Sequence, residues 1–214
     1  MYSPSAGLSE NEIINRLKVA YSKSVDCPYP PGFITNPKRP AAVLLPLLIR
    51  NEKWHLLFIH RTHHEDDPHA GQVAFPGGAR DPGDNDPISN ALRETHEELG
   101  IQPEDVEILG KLNDFITITG FQVTPVVGRI NWPYQFTLAS NEVSHYFTIP
   151  LDWLANADNY EIRDRKLPDP FPSIPVIYFQ PYDGELLWGA SARFTLGLIH
   201  SLAGRANEDF NYQK

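Results

Sequence analysis

Glu94, Glu97 and Glu98 stand three and four residues apart in "RETHEELG". On a helix this spacing turns all three carboxylates to one face, within reach of a common ion. Without a cation they repel, weakening the helix by about 0.2–0.5 kcal/mol per pair. A divalent metal reverses that sign. Mg²⁺ and Mn²⁺ both accept hard carboxylate oxygens and share their shells with substrate phosphates. Arg93, one position before Glu94, is off that face and placed to reach back and brace a carboxylate in the preceding loop.

An acidic helical run is more often a solvated face, so the neighbouring residues decide the reading. Upstream, Gly77-Gly78 ends a strand and "DPGD", Asp81 to Asp84, makes a loop that feeds the helix. Glycines let backbone N–H groups approach phosphate oxygens closely. Strand, glycine turn, loop and acidic helix together read as a metal-diphosphate site. Arg61 at a strand end is a candidate to meet an anionic substrate or a nearby acid, and His69 and Gln72, beside the strand leading to the glycines, are candidates for substrate contact with strand-edge polar groups as the alternative. The run His63-His64-Glu65-Asp66-Asp67 reads as a solvated loop rather than a second metal site. Trp188 reads as core, and Arg193 as half of an ion pair.

These residues need a scaffold, and hydrophobic patterning supplies one. From Pro87 to Leu99, Ile88, Ala91, Leu92 and Thr95 recur at helical spacing, and Gly100 stops the helix. Residues 8 to 23 read as an earlier helix opened by the capping box Ser9/Glu12. The proline-rich "DCPYPPGFITNPKRP" that follows cannot be helical and is expected to wrap over the surface. "AAVLLPLLIR" and "WHLLFIHR" predict a hairpin turning at Asn51-Glu52-Lys53. "VEILGKL", "FQVTPVVGRI" and "EVSHYFTIPL" predict further strands, with a short helix near Leu151. "IPVIYFQ" and "ELLWG" predict another hairpin, and "ASARFTLGLIHSLAG" a last helix. The fold class expected is α/β: an α/β/α sandwich on a mixed β-sheet, in one domain. Residues 1–39 are expected to pack on that fold, 40–204 to form the domain proper, and 205–214 to be a polar tail.

The segment Arg93 to Ile101, "RETHEELGI", resembles the second half of the signature of the Nudix hydrolases, G-x5-E-x7-R-E-U-x-E-E-x-G-U, where U is apolar. Thr95 in the first U slot is a mild departure. Counted strictly, Ala79 and Asn85 fall where the family has Gly and Glu. One inserted loop residue puts Gly78 and Asp84 there instead, keeping the glycine turn and an acid. "GQVAFPGG", "FQVTPVVG" and "WGASAR" are similar to segments of the coenzyme A pyrophosphatase branch, as is the longer box. "LFIHRT" keeps the branch's arginine as Arg61, whereas Asp67 stands where the branch has another arginine.

The resemblance implies the Nudix-type fold, Mg²⁺ or Mn²⁺ as cofactor, and hydrolysis of a nucleoside diphosphate linked to a second moiety X. It makes Glu94 and Glu98 metal ligands with Glu97 a third, Arg93 the residue that orients a carboxylate, and Gly78 a backbone contact to metal or phosphate. The general base is a box glutamate or an acid from a distant loop, for which Glu142 is the candidate. Coenzyme A or its derivatives would give 3′,5′-ADP and 4′-phosphopantetheine. ADP-ribose or NADH is the competing substrate class, and a nucleotide sensor without catalysis is the third reading. Family members are often dimers, so a homodimer is among the assemblies implied.

Composition sets outer bounds. The 214 residues suit one well-buried core. A formal net charge of −9 disfavours unaided grip on a nucleic-acid backbone, yet permits an anionic small-molecule partner bridged by metal or arginine. The single cysteine, Cys27, allows no internal disulfide. No apolar run approaches a membrane span, and the first residues lack the pattern of a signal peptide. A cytoplasmic protein without membrane partners is the expectation.

Overall fold

The computed structural model describes residues 7–36, 38–62 and 71–204. In chain order the elements are helix α1 (Glu10–Ala20) and strands β1 (Val25–Asp26), β2 (Arg39–Arg50), β3 (Lys53–Arg61), β4 (Val73–Ala74) and β5 (Gly77–Ala79). Helix α2 (Pro87–Leu99) follows, then β6 (Val106–Lys111), β7 (Asp114–Ile116), β8 (Phe121–Ile130) and β9 (Val143–Pro150). Helix α3 (Leu151–Leu154), strands β10 (Tyr160–Arg165) and β11 (Ile174–Phe179), and helix α4 (Gly189–Leu202) complete the fold.

Strand β2 explains the architecture. Its Leu44, Leu45, Leu47 and Leu48 are all fully buried, so both faces of the strand must be covered. Burial of each such side chain favours folding by about 1.5–3 kcal/mol. Along one edge β2 pairs in parallel with β8 over nine positions, Arg39↔Phe121 to Leu47↔Arg129. Along the other it pairs antiparallel first with β5 (Ala41–Val43 on Ala79–Gly77), then with β3 (Leu47–Arg50 on Leu56–Lys53). Between these two partners the Pro76 carbonyl takes the Leu44 N–H at 2.8 Å. Strand β3 meanwhile diverges to pair with β9 and β4. Among the described residues nine strands thus join in one mixed sheet, with β10 and β11 as a separate pair.

The alternation of β2 feeds two cores. Leu44 and Leu48 pack with Leu57, Ile59 and Val126 beneath Ala91 and Leu99 of α2. Leu45 and Leu47 pack with Phe58 and Val127 beneath Ile13 and Leu17 of α1, Leu151 and Leu154 of α3, and Leu198 and Leu202 of α4. This is the expected α/β/α sandwich. No helix among the described residues is long and apolar enough to cross a membrane.

Local signals acted largely as expected. Asn51 and Glu52 take left-handed φ values of 51° and 61°, the two-residue turn that closes β2 on β3. The Ser9/Glu12 capping box is present, although α1 ends at Ala20, with Tyr21 extended and Lys23 left-handed. Gly100 ends α2 at φ 71°, and a Cβ there would come within 2.8 Å of Thr137.

Three expectations need correction. Gly77 and Gly78 do not end a strand; with Ala79 they are β5, because β2 offers them a free edge. The partner of "IPVIYFQ" is "YEIRDR", paired from Tyr160↔Phe179 to Arg165↔Ile174. That strand hid behind charged residues on its open face, while Tyr160 and Ile162 pack on the core. "ELLWG" forms no strand, only isolated bridges Tyr178↔Trp188 and Tyr182↔Glu185. The 205–214 tail lies outside the described residues.

Candidate active site

Helix α2 begins where its sequence dictates. Asp86 caps it, accepting the Ser89 N–H at 2.8 Å, and the Ser89 hydroxyl receives the Asp86 N–H at 3.0 Å. Pro87 at the first turn lacks only an N–H that the helix would leave unpaired anyway. The helix lies across β2 and β5, and its C-terminal half brings the acids to the glycines of β5.

Glu98 is the most enclosed of them, 2% exposed. Its Oε2 accepts the Gly77 N–H at 3.0 Å, and its Oε1 lies 4.0 Å from Arg61 Nη1. Burial pushes the Glu98 carboxyl up to about 8; the Gly77 N–H and Arg61 oppose this, while Glu94 and Glu142 add to it. Glu94 is also raised by burial, against the hydrogen bond from Arg93, with Glu97 and Glu142 adding repulsion. The Glu94 carboxylate lies against Gly78, where a Cβ would meet its atoms at 2.6–2.7 Å.

Arg93 organises the rest. Its Nε and Nη2 donate to Asp84 Oδ1 and Oδ2, both at 3.0 Å, and Nη2 also reaches Glu94 Oε1 at 2.8 Å and the Ala79 carbonyl at 3.2 Å. Its Nη1 holds Glu97 Oε2 at 2.9 Å. Arg93 holds the Asp84 carboxyl below the usual carboxylate range, and Arg93 itself is pushed up by these partners. The Asp84 loop is fixed further by Arg80, whose Nη2 donates to the Asp84 and Asn85 carbonyls at 2.8 Å each.

The structure therefore brings Glu94, Glu98, Gly78 and Arg93 together, with Arg61 beside them. It does not gather Glu97 with the other two glutamates: that side chain is about half exposed and turned to Arg93. Arg93 reaches both rims of α2, and in taking Glu97 at the i+4 position it draws that acid away from β5. Among the described residues no three His, Cys, Asp or Glu side chains form a ready metal cluster. The acid whose field reaches both Glu94 and Glu98 is Glu142, in an exposed position just before β9. Its carbonyl accepts the Thr62 N–H at 2.8 Å, tying that loop to the end of β3. His69, with His63, His64 and Asp67, lies outside the described residues.

The donor set fits a divalent cation. Two carboxylates are held in surroundings that oppose their negative charge, and a hard cation relieves that opposition. Glu94 and Glu98 could hold it, with substrate oxygens supplying further positions.

A cleft of about 550 Å³ adjoins this pair. Gly77, Gly78, Arg61 and Gln72 line it, so the glycines that touch both carboxylates also face the cleft. Trp188 lines its far side rather than lying wholly in the core. Arg193 is ion-paired, as expected, through Nε to Asp26 Oδ2 at 2.9 Å. Sequence reasoning missed Gly77 as a partner of Glu98, and Arg80 as the loop's anchor. Neither carried a spacing signal, because each bond has a backbone atom at one end: the Gly77 N–H donates to Glu98, and the Arg80 guanidinium donates to the Asp84 and Asn85 carbonyls.

Comparison with known proteins places this geometry in context. A family model described as the NUDIX domain matches residues 38–169. The protein named "Uncharacterized Nudix hydrolase NudL" from Enterobacter sp. (strain 638) is 41% identical over 166 residues, covering 78% of this chain and 82% of that protein. Its namesake from Photorhabdus laumondii subsp. laumondii is 34% identical over 198 residues, covering 92% and 97%. Among solved structures, a C. elegans Ap4A hydrolase binary complex matches 53% of this chain and 81% of its own, at 24% identity and a TM-score of 0.44.

Proposed function

The chain belongs to the Nudix hydrolase family, and on that premise we propose that residues 40–204 are a metal-dependent hydrolase of coenzyme A or its derivatives, releasing 3′,5′-ADP and 4′-phosphopantetheine. The observation that carries the chemistry is the buried Glu94/Glu98 pair set against two glycines that also line the cleft. The coenzyme A assignment draws on "GQVAFPGG", whose Gln72, Val73, Ala74, Phe75, Gly77 and Gly78 all line that cleft. Departure at Asp67 weighs toward ADP-ribose or NADH, the alternatives the experiment below includes.

In this reading Glu94 and Glu98 hold Mg²⁺ or Mn²⁺, and Glu97 joins them only by leaving Arg93. The cation, when bound, polarises phosphoryl oxygens and lowers the pKa of a bound water. The chain's own groups do the positioning. Asp84 fixes Arg93, and Arg93 in turn fixes Glu94. Arg61, beside Glu98 and on the cleft wall, meets charge on the diphosphate. Glu142 takes the proton of the attacking water. Gly78 permits the approach because it carries no side chain.

The test is product analysis by mass spectrometry after incubation with coenzyme A, ADP-ribose and NADH separately, each with Mg²⁺, Mn²⁺ or chelator. Metal-dependent 3′,5′-ADP from coenzyme A supports the proposal. Cleavage of ADP-ribose or NADH in its place keeps the chemistry and overturns the substrate. No cleavage of any of them overturns both and favours a nucleotide-binding module.

A further inference from the structure

The cleft is completed by a segment that the domain match leaves out. Pro28 and Tyr29, N-terminal to residue 38, form part of its wall, as do residues after 169 from β11 and the start of α4. The stretch from Val25 to Phe33 behaves as a strap fastened at several points. Strand β1 pairs in parallel with β7, Val25↔Asp114 and Asp26↔Phe115. The Asp26 carboxylate takes Arg193 from α4. Tyr29 stacks on Phe33 at 5.6 Å, and Phe33 meets Phe171 edge-on at 5.0 Å. At the far end Arg39 lies 4.0 Å over the Phe121 ring and donates its N–H to Gly120 O at 3.0 Å.

The chemistry of this half of the cleft differs from the catalytic half. Ile118, at the tip of the β7–β8 turn, lines it while 39% exposed, one of few large apolar side chains left open to solvent among the described residues. Phe121 and Val176 also line it. The flanking hydroxyls of Thr117 and Thr119 bond to each other at 3.0 Å. Of the charged residues on this side, Arg193 is neutralised by Asp26, and Arg165 lies with its guanidinium 6.0 Å over the Trp188 ring. A hydroxyl-rich sugar placed here gives up bonds to water and finds few replacements, which costs about 1–3 kcal/mol per group. A linear arm has fewer polar groups per unit of length: its methylenes and methyls cover the apolar wall, and its few amides can turn to the Thr117, Thr119 and Ser191 side chains that also line it.

We propose that the strap, through Tyr29 together with Ile118, is the specificity element for X: it binds an extended, uncharged arm and selects diphosphates carrying one over those whose second half is a sugar. This rests on the hydrolase reading above, and continuity supports it, because one cleft joins these residues to Gly77 and Gly78.

The experiment compares wild type, Tyr29→Ala, Ile118→Ser and Tyr29→Phe, all first shown to melt as folded proteins. Calorimetry with 4′-phosphopantetheine, and separately with ADP-ribose, measures binding without turnover; inorganic phosphate is the control for the charged end. Kinetics with coenzyme A and Mg²⁺ are read as a KM-against-kcat split. Loss of one apolar contact face weakens arm binding about tenfold. Tyr29→Ala and Ile118→Ser are therefore expected to lose about tenfold in 4′-phosphopantetheine affinity and to raise KM similarly, with kcat and ADP-ribose binding unchanged. Tyr29→Phe should match wild type. The proposal is overturned if wild type binds the arm no better than inorganic phosphate, if the variants bind it as wild type does, or if ADP-ribose binding falls equally. Arm binding without cleavage would defeat the hydrolase reading alone; cleavage with an unchanged KM in both variants would defeat the strap alone.

Discussion

Asp84 and Arg93 meet along two parallel hydrogen bonds, Nε to Oδ1 and Nη2 to Oδ2, both 3.0 Å. The pair settles a spacing question the sequence posed: the acid that engages the helix arginine is Asp84, while Asn85 is exposed and offers its carbonyl to Arg80. A shorter side chain reaches because the Arg80 bonds draw the loop inward. Removing Asp84 takes two hydrogen bonds from a partly buried guanidinium and leaves it Glu94, Glu97 and the Ala79 carbonyl. Asp84→Ala is expected to cost about 1–3 kcal/mol in urea denaturation, less than a fully buried pair because Arg93 is about a quarter exposed. Since the folded carboxyl is held below its unfolded value, this stability is present above pH ~4 and fades as pH falls through the folded value. Asp84→Asn should flatten that acid limb. Equal stability of wild type and Asp84→Ala would contradict the pairing.

Glu98 carries the opposite sign. Its folded pKa of about 8 lies above the unfolded value, so its contribution is full below pH ~4.5 and is lost as pH rises through 8. The metal-free protein should therefore lose stability between pH 5 and pH 9, and Mg²⁺ should remove much of that slope. Glu98→Gln should show a flatter profile with chelator present, while turnover falls on the order of a hundredfold or more. Near-normal turnover in that variant would sink the metal-ligand role.

The two glycines of β5 should fail differently. A Cβ on Gly78 meets the movable end of Glu94, so Gly78→Ala should melt near wild type yet lose at least about tenfold in metal-dependent activity. A Cβ on Gly77 meets the backbone of Ala42 and Val43 at 2.4–2.5 Å, with φ at 151°. Gly77→Ala should cost about 1–3 kcal/mol or more in stability. Thermal melts beside activity assays separate the two, and similar melts would refute the distinction.

The proton-accepting role assigned to Glu142 predicts that Glu142→Gln lowers kcat while leaving KM near the wild-type value. Glu97→Gln, which affects an exposed partner of Arg93, should change kcat only a few-fold. A larger loss from Glu97→Gln than from Glu142→Gln would reverse the assignment.

Much of this was legible because the signals were local. The Asn51-Glu52 turn, the Ser9 box, and the Pro87–Gly100 limits of α2 all depend on residues a few positions apart. The acidic spacing pointed to Glu94 and Glu98, and the fold does bring both carboxylates against β5. It did not foresee that Glu97 turns to Arg93, because helical periodicity gives a direction and not a partner. β5 was obscured because glycine lacks the side-chain alternation by which strands are read. The strap and its Asp26–Arg193 tie join residues 167 positions apart, a separation that leaves no mark in a single sequence.

Pairing in the sheet also sets a hierarchy of motion. Strand β2 is bonded along both edges and buried on both faces, so its amides should exchange with solvent only through global unfolding. Strand β5 is three residues long and leans on β2 along one edge. The Gly77 N–H, held by Glu98, can therefore open while the sheet stays intact. The glycines that line the cleft are hinged to the most rigid strand of the fold, so the site can breathe locally without the rest of the protein following.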